Sequence, residues 1–313
     1  MNFSITVLGT SSAIPNSKRN PSAQVVNVHE RFFLVDCGEG TQQLLRKNHI
    51  KLSKIHHIFI SHLHGDHVLG LFGLVSTFSL LGRNDDLHIY SDPRLKEIIE
   101  YHNSFFGNEL SYNIVFHDLF EGQAATIYED DHLIIKTFPL KHSVPSHGFV
   151  FNEKERYRSV DKQKIQKYKL EFPDIVRIKS GEDFITESGE IIPNKELTFN
   201  PPKQRSYAYC SDTAYFPDIV PFIDEVDILY HEATFADSEQ ERAKQTMHST
   251  AGQAAQIALQ AKAKRLLLGH FSTRYKDINI LKVQAKRYFT NCELAQEGFN
   301  YEIKEEWSKP KNL

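Results

Sequence analysis

The sequence predicts an α/β fold: a sandwich of sheets and helices in two halves, with a basic arm inserted between them. Three observations predict it. Apolar runs rich in β-branched and aromatic residues recur, and each ends in a polar residue fit for metal or acid/base work. Each half reads as strands followed by helices. Between the halves, residues 153–200 are polar and lack a strand period. The expected division is residues 1–152 and 201–313 for the two parts of one domain, with 153–200 as a flexible insertion.

The chain has 313 residues, 40% of them hydrophobic and 25% charged, ordinary values for a globular protein. No apolar run approaches the roughly 20 residues of a membrane span. The start, Met1 to Val7, has neither the basic residues nor the cleavage site of a signal peptide. Cys37, Cys210 and Cys292 are odd in number and widely spaced, which gives neither a disulfide framework nor a CxxC zinc site. They read as small buried thiols in a reducing cytoplasm. A net charge of −3 excludes a globally basic nucleic-acid binder, so contact with nucleic acid would need a local patch.

Phe3 to Leu8 is the first strand, ending at Gly9-Thr10-Ser11-Ser12. Ala23 to Val28 and Phe32 to Val35 form a hairpin about His29-Glu30. The second of these ends in Asp36-Cys37-Gly38-Glu39-Gly40, where the glycines allow unusual backbone angles, and a helix follows from Thr41 to Asn48. Asp36 reads either as a brace for neighbouring ligands or as an ordinary strand-end aspartate. Ile55 to Ile60 is a buried strand that stops at Ser61-His62-Leu63-His64-Gly65-Asp66-His67. Val68 to Leu81 is an apolar helix, and Asp92-Pro93 caps another. Leu87 to Tyr90, Asn113 to Phe116, Ala125 to Tyr128 and Leu133 to Phe138 are strands, the last running on towards His142.

Arg205 to Cys210 resumes the core and reaches Ser211-Asp212. Val226 to Tyr230 runs into His231-Glu232-Ala233-Thr234. Ser249 or Thr250 caps a helix from Ala251 to Ala261. Arg265 to Leu268 ends at Gly269-His270, Asp277 to Tyr288 is a last helix, and Tyr301 to Ile303 a closing strand. The Lys-rich C-terminus is expected to fray.

Three histidines and an aspartate within six residues at the mouth of a buried strand are not a packing solution, because burying them unpaired costs several kcal/mol. With the backbone extended, His62, His64 and Asp66 project to one side. Gly65 is expected to supply the turn that brings His67 round. Imidazole and carboxylate without thiolate suit a hydrolytic zinc site, or manganese. His142 becomes a ligand candidate as a partner for this cluster.

From 151 to 180, nine basic residues face five acidic ones, a local +4. This reads either as a solvated face or as an arm that touches phosphates.

Together these residues resemble the metallo-β-lactamase fold, an αββα sandwich. The carriers are Asp36-Cys37-Gly38, the HxHxDH cluster at 62–67, His142, Asp212 and His270. Further motifs resemble the ribonuclease Z family of tRNA 3′ endonucleases in its short form. They are Leu8-Gly9-Thr10-Ser11-Ser12-Ala13-Ile14-Pro15, Asp36 to Gln42, Pro201-Pro202-Lys203-Gln204-Arg205, His231-Glu232-Ala233-Thr234 and His248-Ser249-Thr250. The resemblance covers nearly the whole chain. It implies two zinc ions, or manganese in their place: His62, His64 and His142 for one, Asp66, His67 and His270 for the other, and Asp212 bridging. It makes Asp66 the proton acceptor, and His248, its tautomer fixed by Glu232, the group that serves the leaving oxygen. Lys203 and Arg205 would hold backbone phosphates, and Lys162, Lys164, Lys167 and Lys169 would lie on the arm that grips precursor tRNA.

The resemblance further implies a cytoplasmic homodimer, with no membrane partner, that cuts after the discriminator base. Two departures stand out. Ser206 replaces the Asn of the family's PxKxRN loop, and Phe172-Pro173-Asp174-Ile175 stands where a Gly/Pro-rich tip belongs, which suggests a weaker RNA grip. Rival readings are a hydrolase of the same fold acting on small phosphodiesters, thioesters or lactams, and a non-catalytic RNA-binding relic.

Overall fold

The computed structural model describes residues 1–14, 16–107 and 109–307. Pro15 of the first motif and the C-terminal residues from 308 onward lie outside them.

Two sheets face each other. The first runs in the order β18 (Asn300–Glu302), β1 (Phe3–Gly9), β2 (Ala23–Val28), β3 (Arg31–Val35), β4 (Ile55–Phe59), β5 (Leu87–Ser91), β6 (Ile114–Asp118). The second runs β17 (Cys292–Leu294), β16 (Arg265–Gly269), β15 (Ile228–Glu232), β14 (Ser206–Cys210), β9 (Ser146–Glu153), β8 (Leu133–Leu140), β7 (Ala125–Glu129). Phe3, Phe59, Phe149, Tyr207, Tyr209, Tyr230 and Leu267 fill the space between the sheets.

Helices cover both outer faces. α1 (Thr41–Lys47), α2 (Gly65–Leu80) and α3 (Arg94–Phe105) lie on the first sheet. α8 (Ala251–Gln260) and α9 (Asn279–Ala285) pack on the second, and α7 (Gln240–Gln245) leads into α8. The layers are therefore αββα, as expected. Strands buried on both faces explain why the sequence shows near-continuous apolar runs rather than alternation.

The local signals hold in detail. His29 and Glu30 form the hairpin turn with φ of 52° and 66°. The Asp92 carboxylate accepts from Arg94 N–H at 2.9 Å at the head of α3. Thr250 and Gln253 form a capping box on α8. Gly65 differs from expectation. It opens α2, and it is the helical turn, not a glycine backbone angle, that carries His67 to the site. The close approach falls elsewhere: a Cβ on Gly70 would meet the Gly38 carbonyl oxygen at 2.0 Å, so α2 lies backbone to backbone against the Asp36–Gly40 turn.

The insertion is not a bare flexible arm. β10 (Ser159–Val160) pairs with β13 (Thr198–Phe199), and β11 (Phe184–Ile185) with β12 (Ile191–Ile192). With α4 (Lys162–Tyr168), α5 (Phe172–Lys179) and α6 (Asn194–Leu197) they enclose a small core of Leu170, Ile178, Ile192 and Leu197. Phe172-Pro173-Asp174-Ile175, expected as a tip, is the first turn of α5, with proline where its missing N–H costs nothing.

Candidate metal centre

Within each sheet the strands that lead to the site point the same way: β3 beside β4, β14 beside β15 and β16, and β8, which leads to His142, through the antiparallel β9. Their C-terminal ends therefore emerge at a common edge. Three residues just past those ends, Asp36, Asp212 and His270, have φ of 57°, 55° and 55°. Such left-handed angles in non-glycine residues cost about 1–3 kcal/mol each and persist where surrounding bonds over-determine them.

The edge brings together residues far apart in sequence. His62, His64, His142 and Asp212 each place one ligand atom within 4.8 Å of the others, and so do Asp66, His67 and His270. Asp212 joins the two groups. Its Oδ1 lies 3.2 Å from His67 Nε2 and 3.1 Å from His270 Nε2, and its Oδ2 lies 3.5 Å from His62 Nε2 and 3.6 Å from His142 Nε2.

Imidazole nitrogens face one another across the centre. His62 Nε2 is 3.0 Å from His64 Nδ1, His142 Nε2 is 3.3 Å from the same atom, and His67 Nε2 is 3.4 Å from His270 Nε2.

The outward nitrogens explain the inward ones. His67 Nδ1–H donates to Asp36 at 2.7 Å, and His142 Nδ1–H to the Met247 carbonyl at 2.9 Å. Ser61 Oγ donates to Asp36 at 2.9 Å, so it accepts from His62 Nδ1–H at 3.0 Å. Thr234 Oγ1 donates to Glu232 at 2.6 Å, so it accepts from His270 Nδ1–H at 3.0 Å. In four histidines the outer proton is thus held, and the lone pair on Nε2 points inward.

A cluster of aligned lone pairs beside buried carboxylates is a donor set for cations. His67 shows the same demand for positive charge. Burial opposes a charge on its ring, but Asp212, Asp66 and Asp36 outweigh burial and hold its pKa well above the ordinary value.

Two buried carboxylates organise the surroundings. Asp36 accepts from Ser61 N–H at 2.7 Å and from Tyr209 OH at 2.6 Å, besides His67 and Ser61 Oγ. Burial, and then the Asp36 charge, push the Tyr209 pKa far up, so the phenol keeps its proton and donates. Glu232 accepts from Thr213 N–H at 2.7 Å, Ser249 N–H at 3.1 Å and His248 Nδ1 at 2.8 Å. Burial would lower the His248 pKa, but Glu232 outweighs it and holds the value at about 9. His248 stacks 5.4 Å from His270 and lies 4.9 Å from His142, ring centre to ring centre.

A cavity of 590 Å³ opens over the cluster. It is lined by Ile14 of the first motif, and by Leu69, Arg242 and Arg274, which belong to no motif in the sequence. Arg274 stands four residues beyond His270, and that proximity was the available signal. Asp66 Oδ2 accepts from Ala13 N–H at 2.7 Å, which ties the first motif to the site.

The expected phosphate contacts divide. Lys203 is exposed, and Lys162, Lys164, Lys167 and Lys169 lie round α4 and its C-terminus rather than on one face. Arg205 does not fit its expected role. It is 3% exposed, and its guanidinium is taken up by Glu153 and by the carbonyls of Met1 and Ile303. Ser206, in place of the family's Asn, donates its N–H to Asp227 at 2.7 Å.

The chain matches the family model described as Anti-Pycsar protein Apyc1 over residues 3–175, and the Beta-lactamase superfamily domain over 196–271. It is 48% identical over 296 residues to a Ribonuclease Z of Bacteroides thetaiotaomicron, covering 95% of this chain and 94% of that one. To a Ribonuclease Z of Phocaeicola vulgatus it is 46% identical over 301 residues, covering 96% and 97%. Among solved structures, the short form of human tRNase Z superposes with a TM-score of 0.69 at 28% identity, over 95% of this chain and 98% of that one. A metallo-β-lactamase fold protein, YhfI from Bacillus subtilis, superposes with 0.68 at 18% identity over 97% and 100%, a likeness of fold alone. The Apyc1 match ends inside the inserted arm, whereas the Ribonuclease Z relatives run through it.

Proposed function

The chain belongs to the ribonuclease Z family and is an endoribonuclease of the metallo-β-lactamase fold, and we propose that it removes the 3′ trailer from precursor tRNA by hydrolysis at a two-zinc centre. The observation that carries this reading is the convergence of His62, His64, His142, Asp66, His67, His270 and Asp212 at one edge, beside His248, which is held by Glu232 at 2.8 Å.

His62, His64 and His142 would hold one ion, and Asp66, His67 and His270 the other, with Asp212 shared. Such ions lower the pKa of water towards neutrality and stabilise charge on the attacking and leaving oxygens. Asp66, its carboxylate already fixed by the Ala13 N–H, orients the attacking water and receives its proton. The water oxygen forms a bond to phosphorus, and the bond from phosphorus to the 3′ oxygen of the tRNA breaks. His248 Nε2–H gives its proton to that oxygen, leaving a 3′-hydroxyl on the tRNA and a 5′-phosphate on the trailer. Glu232 keeps the His248 Nδ1–H turned away from the substrate.

Lys203 and the arm lysines would meet backbone phosphates and read shape rather than sequence. A homodimer in the cytoplasm completes the proposal. Exposed Ile98, Tyr101 and Phe105, three and four residues apart on α3, give such a contact an apolar face, and the three cysteines are free and buried. Among the described residues no helix is long and apolar enough to cross a membrane.

The test is incubation of purified protein with a 3′-extended precursor tRNA and mapping of both product ends, beside a His64→Ala control. Cleavage after the discriminator base, lost in the control, is expected. An intact precursor with wild-type protein loaded with zinc would sink the proposal.

A further inference from the structure

The arm leaves the domain after Glu153, the last residue of β9, and returns at Arg205, the residue before β14. These strands are neighbours, with Ser206 opposite Asn152. Residues 52 positions apart therefore meet at the root, where Glu153 N–H donates to the Arg205 carbonyl at 2.9 Å.

The side chains then lock face to face. Arg205 Nε donates to Glu153 Oε2 at 2.8 Å, its Nη2 to Oε1 at 2.7 Å, and its backbone N–H to Oε2 at 3.1 Å. Both residues are 3% exposed. The remaining arginine nitrogen, Nη1, reaches the Ile303 carbonyl at 2.8 Å and the Met1 carbonyl at 3.0 Å, beside β18 and β1 of the opposite sheet. His29, from the β2–β3 turn, donates to Glu153 at 2.7 Å. Arg156, on the outgoing stalk, bridges Glu153 at 3.1 Å and Glu305 at 2.7 Å. One buried knot thus joins both stalks of the arm to both sheets.

A solvated insertion needs no such knot. Buried ion pairs add little stability over apolar packing of the same volume, and their best-attested use is to fix one geometry. A planar two-pronged pair also resists rotation, which a point charge does not.

We propose that the Glu153–Arg205 pair is a positioning device that sets the direction of the arm relative to the cleavage centre without touching substrate. The arm's core of Leu170, Ile178, Ile192 and Leu197 keeps its own fold, so loosening the knot frees the arm as a unit. A tethered second contact loses effective concentration when its orientation is no longer held. The consequence for RNA rests on the function proposed above; the mechanical claim does not.

The test uses the full chain with spin labels at exposed Lys179 and Lys262, and measures the distance distribution between them. Arg205→Lys keeps the charge and removes the fork; Glu153→Gln keeps the shape and removes the charge. Each is expected to broaden a narrow wild-type distribution and to raise KM for precursor tRNA by about tenfold or more. Turnover at saturation and hydrolysis of bis-p-nitrophenyl phosphate should stay as in wild type. If either variant fails to fold, Arg156→Ala, which removes only the outer link, reads the same distance. Distributions as narrow as wild type in folded variants would overturn the proposal whatever the RNA assay shows. Broadened distributions with a wild type inert on precursor tRNA would instead retire the functional reading alone.

Discussion

Asp36→Asn isolates the support of the metal centre from its ligands. Asp36 is fully buried and accepts four hydrogen bonds: Ser61 N–H on Oδ1, and Ser61 Oγ, Tyr209 OH and His67 Nδ1–H on Oδ2. Asparagine has one acceptor oxygen. With that oxygen at the Oδ2 position, the amide NH2 faces the Ser61 N–H, donor against donor. Flipped, the NH2 faces three donors. At least one buried donor is left without a partner, which costs roughly 1–3 kcal/mol. The negative charge that holds the His67 proton outward is lost as well. Loss of such support behind a metal-ligating histidine typically lowers metal affinity about 10–100-fold, equivalent to roughly 1.4–2.7 kcal/mol. Chelator competition measures the affinity, and thermal unfolding of the metal-free protein measures stability. Both are expected to fall. Metal affinity within about twofold of wild type alongside a lowered melting temperature would refute the link from Asp36 through His67 to the centre.

Other perturbations separate the remaining parts. Replacing residues 157–200 with a short linker should abolish cleavage of precursor tRNA while bis-p-nitrophenyl phosphate is still hydrolysed; parallel loss of both activities would contradict a substrate-binding arm. His248, held at about 9, is protonated at neutral pH and releases its proton as pH rises through that value, so kcat should fall above about pH 9. Glu232→Gln should move that fall to lower pH, and an unmoved limb would remove His248 from the proton transfer. At the arm root, burial raises the Glu153 pKa, but Arg205 and then Arg156 and His29 outweigh it and hold it at about 2, below the ordinary 4.5. Its stabilisation is therefore present above about 4.5 and lost as pH falls from there through 2. Urea unfolding across that window should show a steep loss in wild type and a flatter one in Glu153→Gln; equal slopes would contradict the assignment.

The candidate ligand residues were legible because few residue types bind cations, and buried strands announce themselves by composition. Fold and centre followed from strand ends carrying His62, His142, Asp212 and His270. What the sequence hid was decided by partners far along the chain. Arg205 in a polar loop reads as a cation facing solvent; only Glu153, on a neighbouring strand, turns it inward. The left-handed angles at Asp36, Asp212 and His270 have no signature in composition, since they are imposed by the hydrogen bonds around them. The helix at Phe172–Lys179 had signals: Asp174 placed to cap Glu171, Pro173 in the first turn, and Ile175 and Ile178 one turn apart. Against them stands the Gly/Pro-rich tip that the family resemblance implies for this stretch.

Metal content tests the centre most directly. Protein saturated with zinc, dialysed against metal-free buffer and assayed by elemental mass spectrometry should retain two ions per chain, and fewer after Asp212→Ala, which removes the shared ligand. Wild-type protein that keeps well under one ion per chain would contradict the account, because the inward lone pairs of His62, His67, His142 and His270 would then have nothing to bind.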